Sequence, residues 1–271
     1  MKENNWFDPF YIQSHLSEEE SNIQKNVRNF CNNELKTTVV ERNRKNEFDK
    51  DLYPKFGSLG VLGQTVKTHG GSGTSNLAYG LVAYEFEKID SSYRSSISVQ
   101  SSLVIHPISE FGSKEQKDKY LPELIKGEKI GCFGLTESEA GSDPASMKTT
   151  FKKTKDGYIL NGSKNWITNA PIADIFIIWA IEEGKDHKSI KGFILEKNNE
   201  GLNTSTIENK TSLKISPTGQ IILNNVFVPN NLCLENTEGW KSVFSCLNKA
   251  RFGISWGVLG SASECWLIAK E

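Results

Sequence analysis

Apolar and polar positions along this chain follow two different periods. In the first stretch Ile23, Val27, Phe30 and Cys31 recur at the spacing of one helix face, and Ser17 with Glu20 forms a capping box that starts that helix. The same signals predict helices over 49–58, 74–89 and 113–125, the last capped by Ser113 with Gln116 three residues on. The glycine-rich run 69–73 and the run Asp90-Ser91-Ser92 read as loops between them. From Ile130 the pattern changes to short apolar runs, which predict strands over 131–136, 158–161, 175–181, 192–196 and 221–228. The dipeptides Asp156-Gly157, Asn161-Gly162, Glu200-Gly201 and Asn224-Asn225 read as the turns that separate them. After Pro229 helical spacing returns at Trp240, Phe244, Leu247 and Arg251, predicting helix from 239 to the end.

Charge changes this picture little. With 32 Lys and Arg against 33 Asp and Glu, the net charge of −1 creates no large field of one sign, so nucleic acid and anionic membrane are not expected partners. Cys31, Cys132, Cys233, Cys246 and Cys265 are odd in number and never in Cys-x-x-Cys spacing, which suggests neither a disulfide framework nor a metal site. The longest unbroken apolar run, 175–181, is too short to span a bilayer, so no membrane insertion is expected. Residues 1–20 have neither a secretory apolar core nor an Arg-rich presequence, and the expected location is cytoplasmic.

Candidate chemistry concentrates in 131–171. Leu135-Thr136-Glu137, Gly141-Ser142-Asp143 and Asn161-Gly162-x-Lys164-x-Trp166-Ile167-Thr168-Asn169 follow one another in that order. Singly, a Trp and two Thr on strands read as core or cross-strand pairs, and Gly-Ser-Asp-Pro as a turn. Together they set hydroxyls, an indole and glycines where a flat cofactor could be held. No Gly-x-Gly-x-x-Gly fingerprint is present, so a nicotinamide-binding Rossmann domain is not supported. The series resembles the flavin-binding β domain of the acyl-CoA dehydrogenases. The flanking segments EFEKIDSSYRSSISVQSSLVIHP (85–107) and CLNKARFGISWGVLG (246–260) are similar to the glutaryl-CoA dehydrogenase branch of that family.

The resemblance implies an α+β fold: an N-terminal helical domain over 1–128, a central antiparallel β domain over 129–235 that binds flavin, and over 236–271 the first helix of a C-terminal helical domain. FAD is the implied cofactor. Phe133, Leu135 and Thr136 would address the pyrimidine end of the isoalloxazine, Trp166, Ile167 and Thr168 would pack on the ring and bond near N5, and Gly141 and Ser142 would touch flavin and thioester together. The CoA end is implied at Phe244, Asn248 and Arg251. Glutaryl-CoA carries a second carboxylate, which is costly to bury without a cation. The family position for that cation falls at Arg94, whose guanidinium can hold a carboxylate through two parallel hydrogen bonds, with Glu87, Ser95 and Ser98 completing the implied network. Outside the family context, Glu87 and Arg94 read as a surface ion pair between helices.

Taking a proton from the α carbon while hydride leaves the β carbon requires a positioned carboxylate. The family places it either past the position of Glu271 or immediately before the arginine matching Arg251, where this chain has Ala250, so no catalytic residue is assigned. The 271-residue chain is accordingly expected to be a truncated form, inactive alone, with weakened FAD binding and with Ile254, Trp256, Val258, Leu259 and Trp266 exposed. The intact enzyme is implied to be a homotetramer that oxidises glutaryl-CoA to crotonyl-CoA and CO2 and passes electrons to an electron-transferring flavoprotein. Two other readings stay open: a dehydrogenase for another short-chain acyl-CoA, and a non-catalytic remnant that binds flavin or acyl-CoA. A further one, an interaction module without a small ligand, requires the motif series to be accidental.

Overall fold

The computed structural model describes residue 8 and residues 11–270, so the leader reading falls partly outside the described residues. Among these, the α-helices are α1 (Glu18–Phe30), α2 (Val39–Lys45), α3 (Leu52–Ser58), α4 (Asn76–Glu87), α5 (Ser91–Ser98), α6 (His106–Phe111), α7 (Lys114–Ile125) and α8 (Trp240–Lys270). The strands are β1 (Gly131–Gly134), β2 (Thr150–Lys153), β3 (Gly157–Thr168), β4 (Ile175–Glu182), β5 (Lys191–Glu196), β6 (Leu202–Thr206) and β7 (Thr218–Pro229). The helical, β, helical order expected from the sequence is present.

Both capping boxes form. Ser17 Oγ accepts from the Glu20 N–H (3.2 Å) while the Glu20 carboxylate accepts from the Ser17 N–H (3.0 Å), and Ser113 with Gln116 repeats the exchange at 3.2 and 2.9 Å. The 90–92 run is not a loop: the Asp90 carboxylate accepts from the Ser92 N–H (2.7 Å) and caps α5. From α5 the chain continues through a π-helical stretch, Val99–Ile105, into α6. Ser92, Tyr93, Ser96, Ile97, Gln100 and Ser102 are all buried there, so the run lacks the one-sided stripe that announces a surface helix.

The strands form one curled seven-stranded sheet in the order β1-β4-β2-β3-β7-β6, with β5 also on β4. It is mainly antiparallel, but β4 takes both β1 and β2 in parallel. Two of the expected turns are not turns. Asn161-Gly162 lies within β3 and Asn224-Asn225 within β7, where they face each other across a bulge. The Asn225 N–H donates to Asn161 Oδ1 (2.8 Å), Asn161 Nδ2 donates to Asn225 Oδ1 (3.1 Å), and Asn225 adopts φ 52°.

Alternation along β4 joins helices to sheet. Ile175, Ile177 and Trp179 enter the core built with α1, α3 and α7, whereas Phe176, Ile178 and Ala180 enter a second core on the other face. Buried amides then fix β1 in place. Gln100 Nε2 donates to Leu124 O (2.9 Å) and Lys129 O (2.8 Å) while its Oε1 accepts from the Gly131 N–H (2.8 Å). Asn169 Nδ2 donates to Gly131 O (3.1 Å) and to Tyr53 Oη (2.7 Å).

Helix α8 settles on α4 where glycines remove side-chain bulk. The Trp256 ring lies 2.6 Å from where a β-carbon on Gly80 would be, and Tyr79 Oη lies 2.7 Å from the corresponding point on Gly253. On the outer face Ile254, Val258, Leu259 and Trp266 are 41–58% exposed, but Trp256 is only partly exposed because its ring fills the Gly80 notch. No helix among the described residues is long and apolar enough to cross a membrane.

Candidate functional site: a groove between the sheet and helix α8

Beyond β1 the chain runs alongside β3, where the Asn165 N–H donates to Thr136 O (2.9 Å). It then loops through Gly141 and Ser142, both exposed, to Asp143. The Asp143 carboxylate accepts from the Ala145 N–H (3.2 Å) and from the Ser146 hydroxyl, so it caps the short turn that follows. Leu135, Thr136, Gly141 and Ser142 face Phe244 and Arg251 of α8 across an open groove of about 620 Å³. Six residues nominated for flavin or CoA thus come from three separate stretches to one place.

His187, Trp240 and Leu247 also line the groove, though the sequence marked the last two only as helix positions and His187 not at all. Trp240 Nε1 donates to His187 O (2.9 Å), latching the start of α8 to the β4–β5 connection, and the Trp240 and Phe244 rings lie 5.8 Å apart. Two aromatic residues four apart on a helix were the available signal. Asn248 does not line the groove, but its Oδ1 accepts from Arg251 Nη1 (2.9 Å).

Trp166 stands on β3 one residue past Asn165. It is 58% exposed and adopts φ 60°, a left-handed backbone that is strained for a bulky side chain. Asn165 holds it there: its Oδ1 accepts from the Trp166 N–H (3.0 Å) and its Nδ2 donates to Ser138 Oγ (3.1 Å). Phe133 and Ile167 bury their side chains, so only their backbone can meet a ligand. The hydroxyls of Thr136, Ser142 and Thr168 make no hydrogen bond to another described residue, although Trp166 and Thr168 do not themselves line the groove.

Behind this face lies a fully buried cation. Lys164 donates to Glu137 Oε1 (2.8 Å) and to Leu135 O (3.1 Å), and the Glu137 carboxylate also accepts from the backbone N–H groups of Lys148 (2.7 Å) and Thr149 (3.0 Å). Burial brings the Lys164 ammonium down to about 8 against the pull of Glu137. Burial pushes the Glu137 carboxyl upward, but the Lys164 charge and the three hydrogen bonds outweigh it and hold the group below the usual carboxylate range.

Glu87, Arg94, Ser95 and Ser98 do not reach the groove. Arg94 Nε donates to the Glu87 carboxylate, which also accepts from Ser91 Oγ (2.6 Å). The pair is buried rather than on the surface, with side-chain exposures of 12% and 4%. Arg94 and Ser98 share with Tyr79, Val82, Phe86 and Ile97 a space of only about 10 Å³, and Ser95 is partly buried on the same helix. Tyr79 Oη lies 2.8 Å from Ser102 Oγ, and its ring stacks on Phe252 of α8 at 6.3 Å.

Comparison with known proteins agrees with this architecture. Residues 17–128 match the acyl-CoA dehydrogenase N-terminal domain, and residues 132–226 match the acyl-CoA dehydrogenase middle domain. The chain belongs to the acyl-CoA dehydrogenase family, a family of oxidoreductases. It is 40% identical to a glutaryl-CoA dehydrogenase from Mycobacterium smegmatis in complex with FADH2, with a TM-score of 0.91 covering 94% of this chain and 65% of that one. It is 34% identical over 258 residues to the short-chain-specific acyl-CoA dehydrogenase of Clostridium acetobutylicum, covering 94% of this chain and 68% of the relative. It is 36% identical over 252 residues to the mitochondrial isovaleryl-CoA dehydrogenase of Pongo abelii, covering 90% and 60%. The chain therefore spans about two thirds of the length of these acyl-CoA dehydrogenases. Since relatives with three different acyl groups are similar to nearly the same degree, likeness alone does not set the acyl specificity.

Proposed function

We propose that the chain carries the flavin- and acyl-CoA-binding parts of an FAD-dependent dehydrogenase of the glutaryl-CoA type, with 1–128, 129–235 and 236–271 as its domain divisions. The observation that carries this reading is the meeting of Thr136, Gly141 and Ser142 with Phe244 and Arg251 across one groove. The residues fit FAD. An exposed indole held in strained backbone offers a ring face, and three uncommitted hydroxyls offer partners for the polar edge of the ring.

Bound FAD supplies the acceptor for hydride from the β carbon. The chain's own residues bind and orient: Trp166 against the ring, Thr136 and Thr168 at its edge with the backbone of Phe133, Leu135 and Ile167, Gly141 and Ser142 between flavin and thioester, and Asn248 with Arg251 at the CoA end. Arg94, with Ser95 and Ser98, is the favoured receptor for a second carboxylate. Because so little space surrounds it, a glutaryl chain reaches Arg94 only if α8 shifts from α4 or the Glu87–Arg94 pair turns.

The carboxylates near the motifs already have partners: buried Glu137 is held by Lys164 and buried Glu87 by Arg94, Glu139 pairs with Lys148 on the surface, and Asp143, at the groove, accepts from the Ala145 N–H and the Ser146 hydroxyl. The complete reaction, including decarboxylation and electron delivery to an electron-transferring flavoprotein by a homotetramer, needs a base that these residues do not provide. The test is titration of the FAD-loaded chain with glutaryl-CoA and butyryl-CoA, alongside Arg94→Gln. Preference for glutaryl-CoA that disappears in the variant is expected. No preference in the parent chain, or a preference that survives Arg94→Gln, removes the glutaryl assignment and leaves a dehydrogenase for another short-chain acyl group.

A further inference from the structure

We infer that Lys164 and Glu137 are positioning residues for the flavin, tying the separate segments of its binding face together and setting the electrostatic balance behind it. The inference rests on the flavin reading above. Three stretches build that face, 133–136, 141–142 and 166–168, and the buried pair touches the frame of each. Lys164 immediately precedes Asn165 and Trp166 on β3, and its ammonium donates to Leu135 O (3.1 Å). Glu137 immediately follows Thr136, and its carboxylate accepts from the N–H groups of Lys148 and Thr149, which closes the loop that carries Gly141 and Ser142.

The Leu135–Thr136 peptide is the point where this support meets the groove. Its carbonyl accepts from the Lys164 ammonium, whereas its N–H, that of Thr136, donates to no described residue. A cation on the carbonyl side polarises the peptide and strengthens the N–H as a donor. Groups of this kind, fixed before a ligand arrives, favour the negative charge that builds up on a flavin as it is reduced.

A purely stabilising role accounts poorly for the arrangement. Lys164 is completely buried, and a buried ion pair is commonly no more stable than well-packed apolar residues of the same volume. The pair's partners are also specific: backbone atoms of the two segments that flank the groove, with Met147 Sδ 3.8 Å from the ammonium completing the surroundings.

The experiment compares the parent chain with Lys164→Met, Glu137→Gln and the double variant. It measures FAD affinity by fluorescence and the ratio of reduced to oxidised flavin affinity by equilibrium reduction against a reference dye. Lys164→Met leaves a buried negative charge and should lower that ratio about tenfold, whereas Glu137→Gln removes the pull that keeps the buried ammonium charged, so a ratio raised about tenfold is expected at the acid end of the pH range, where the ammonium is protonated, and fades as the pH rises. For a two-electron couple, tenfold is about 30 mV. The double variant should return to within about threefold of the parent ratio yet bind FAD more weakly, because the 137–149 loop is no longer tied. Opposite shifts in the single variants are what a merely structural pair cannot produce. If both shift in the same direction, or the ratio does not move, the inference is overturned while the flavin reading stands. If the parent chain binds no FAD, the flavin reading fails and the inference with it. Should Lys164→Met fail to fold, Glu137→Gln against the double variant makes the same comparison, since the two differ only in the lysine charge.

Discussion

Gly257→Ala asks whether α8 rests directly on the Glu87–Arg94 pair. A β-carbon at this position would lie 2.6 Å from Glu87 Oε2, 3.1 Å from Glu87 Cδ and 3.3 Å from Arg94 Nε. Ordinary contact starts near 3.4 Å, so the carboxylate has to retreat by about 0.8 Å or the helix has to lift. There is little slack, because Glu87 is already held by Ser91 at 2.6 Å and by Arg94 and is almost wholly buried. Overpacking of this kind costs about 1–3 kcal/mol. Replacing a glycine inside a helix returns about 1 kcal/mol. The expected net effect is a loss of up to about 2 kcal/mol, read as a lower urea midpoint at unchanged slope, with a larger fall in affinity for glutaryl-CoA than for butyryl-CoA. A protein stabilised by about 1 kcal/mol, with both affinities unchanged, would show that helix propensity dominates and that α8 does not press on the pair.

Trp166→Gly removes an exposed side chain and relieves its left-handed backbone, so stability should hold or rise by about 1 kcal/mol while FAD affinity falls about tenfold; unchanged FAD affinity in a fluorescence titration would place the ring elsewhere. His106 lies 3.0 Å from Ser245 Oγ, and burial, helped by Lys249, brings its imidazole down to about 4. The unfolded chain therefore takes up this proton before the folded one does, and stability should fall by about 1–2 kcal/mol between pH 7 and pH 5. His106→Gln should flatten that part of the urea-midpoint profile; an equally steep profile in the variant would assign the pH dependence to other groups.

Local chemistry made much of the fold legible. Ser17 with Glu20 and Ser113 with Gln116 predicted caps that form bond for bond, and the change of period near Ile130 marked where helices give way to sheet. What escaped notice lacked a local signal. The run Ser91–Ser98 into Val99–Ile105 is buried almost all round, so its small serines gave no stripe, and β6, largely exposed at the sheet edge, gave no apolar alternation. Asn161-Gly162 and Asn224-Asn225 have the chemistry of turns, but long strands used it for a bulge. At the site, the motif order with the family resemblance brought out Thr136 and Ser142, and the resemblance alone Arg251, and the three do share a groove. The links that organise their surroundings join residues far apart in the chain, Lys164 with Glu137, Trp240 with His187 and Tyr79 with Phe252, and no spacing rule reaches across such distances.

A visible absorption spectrum shows whether this chain holds flavin and an acyl-CoA without a base that reacts. The 271-residue protein is saturated with FAD and recorded before and after anaerobic addition of glutaryl-CoA. Bound flavin whose absorbance band shifts without bleaching is the expected result. Failure to bind flavin even at saturating FAD would contradict the groove as a cofactor site, and full bleaching would contradict the assignment of Glu87, Glu137 and Glu139 to ion pairs rather than to proton removal.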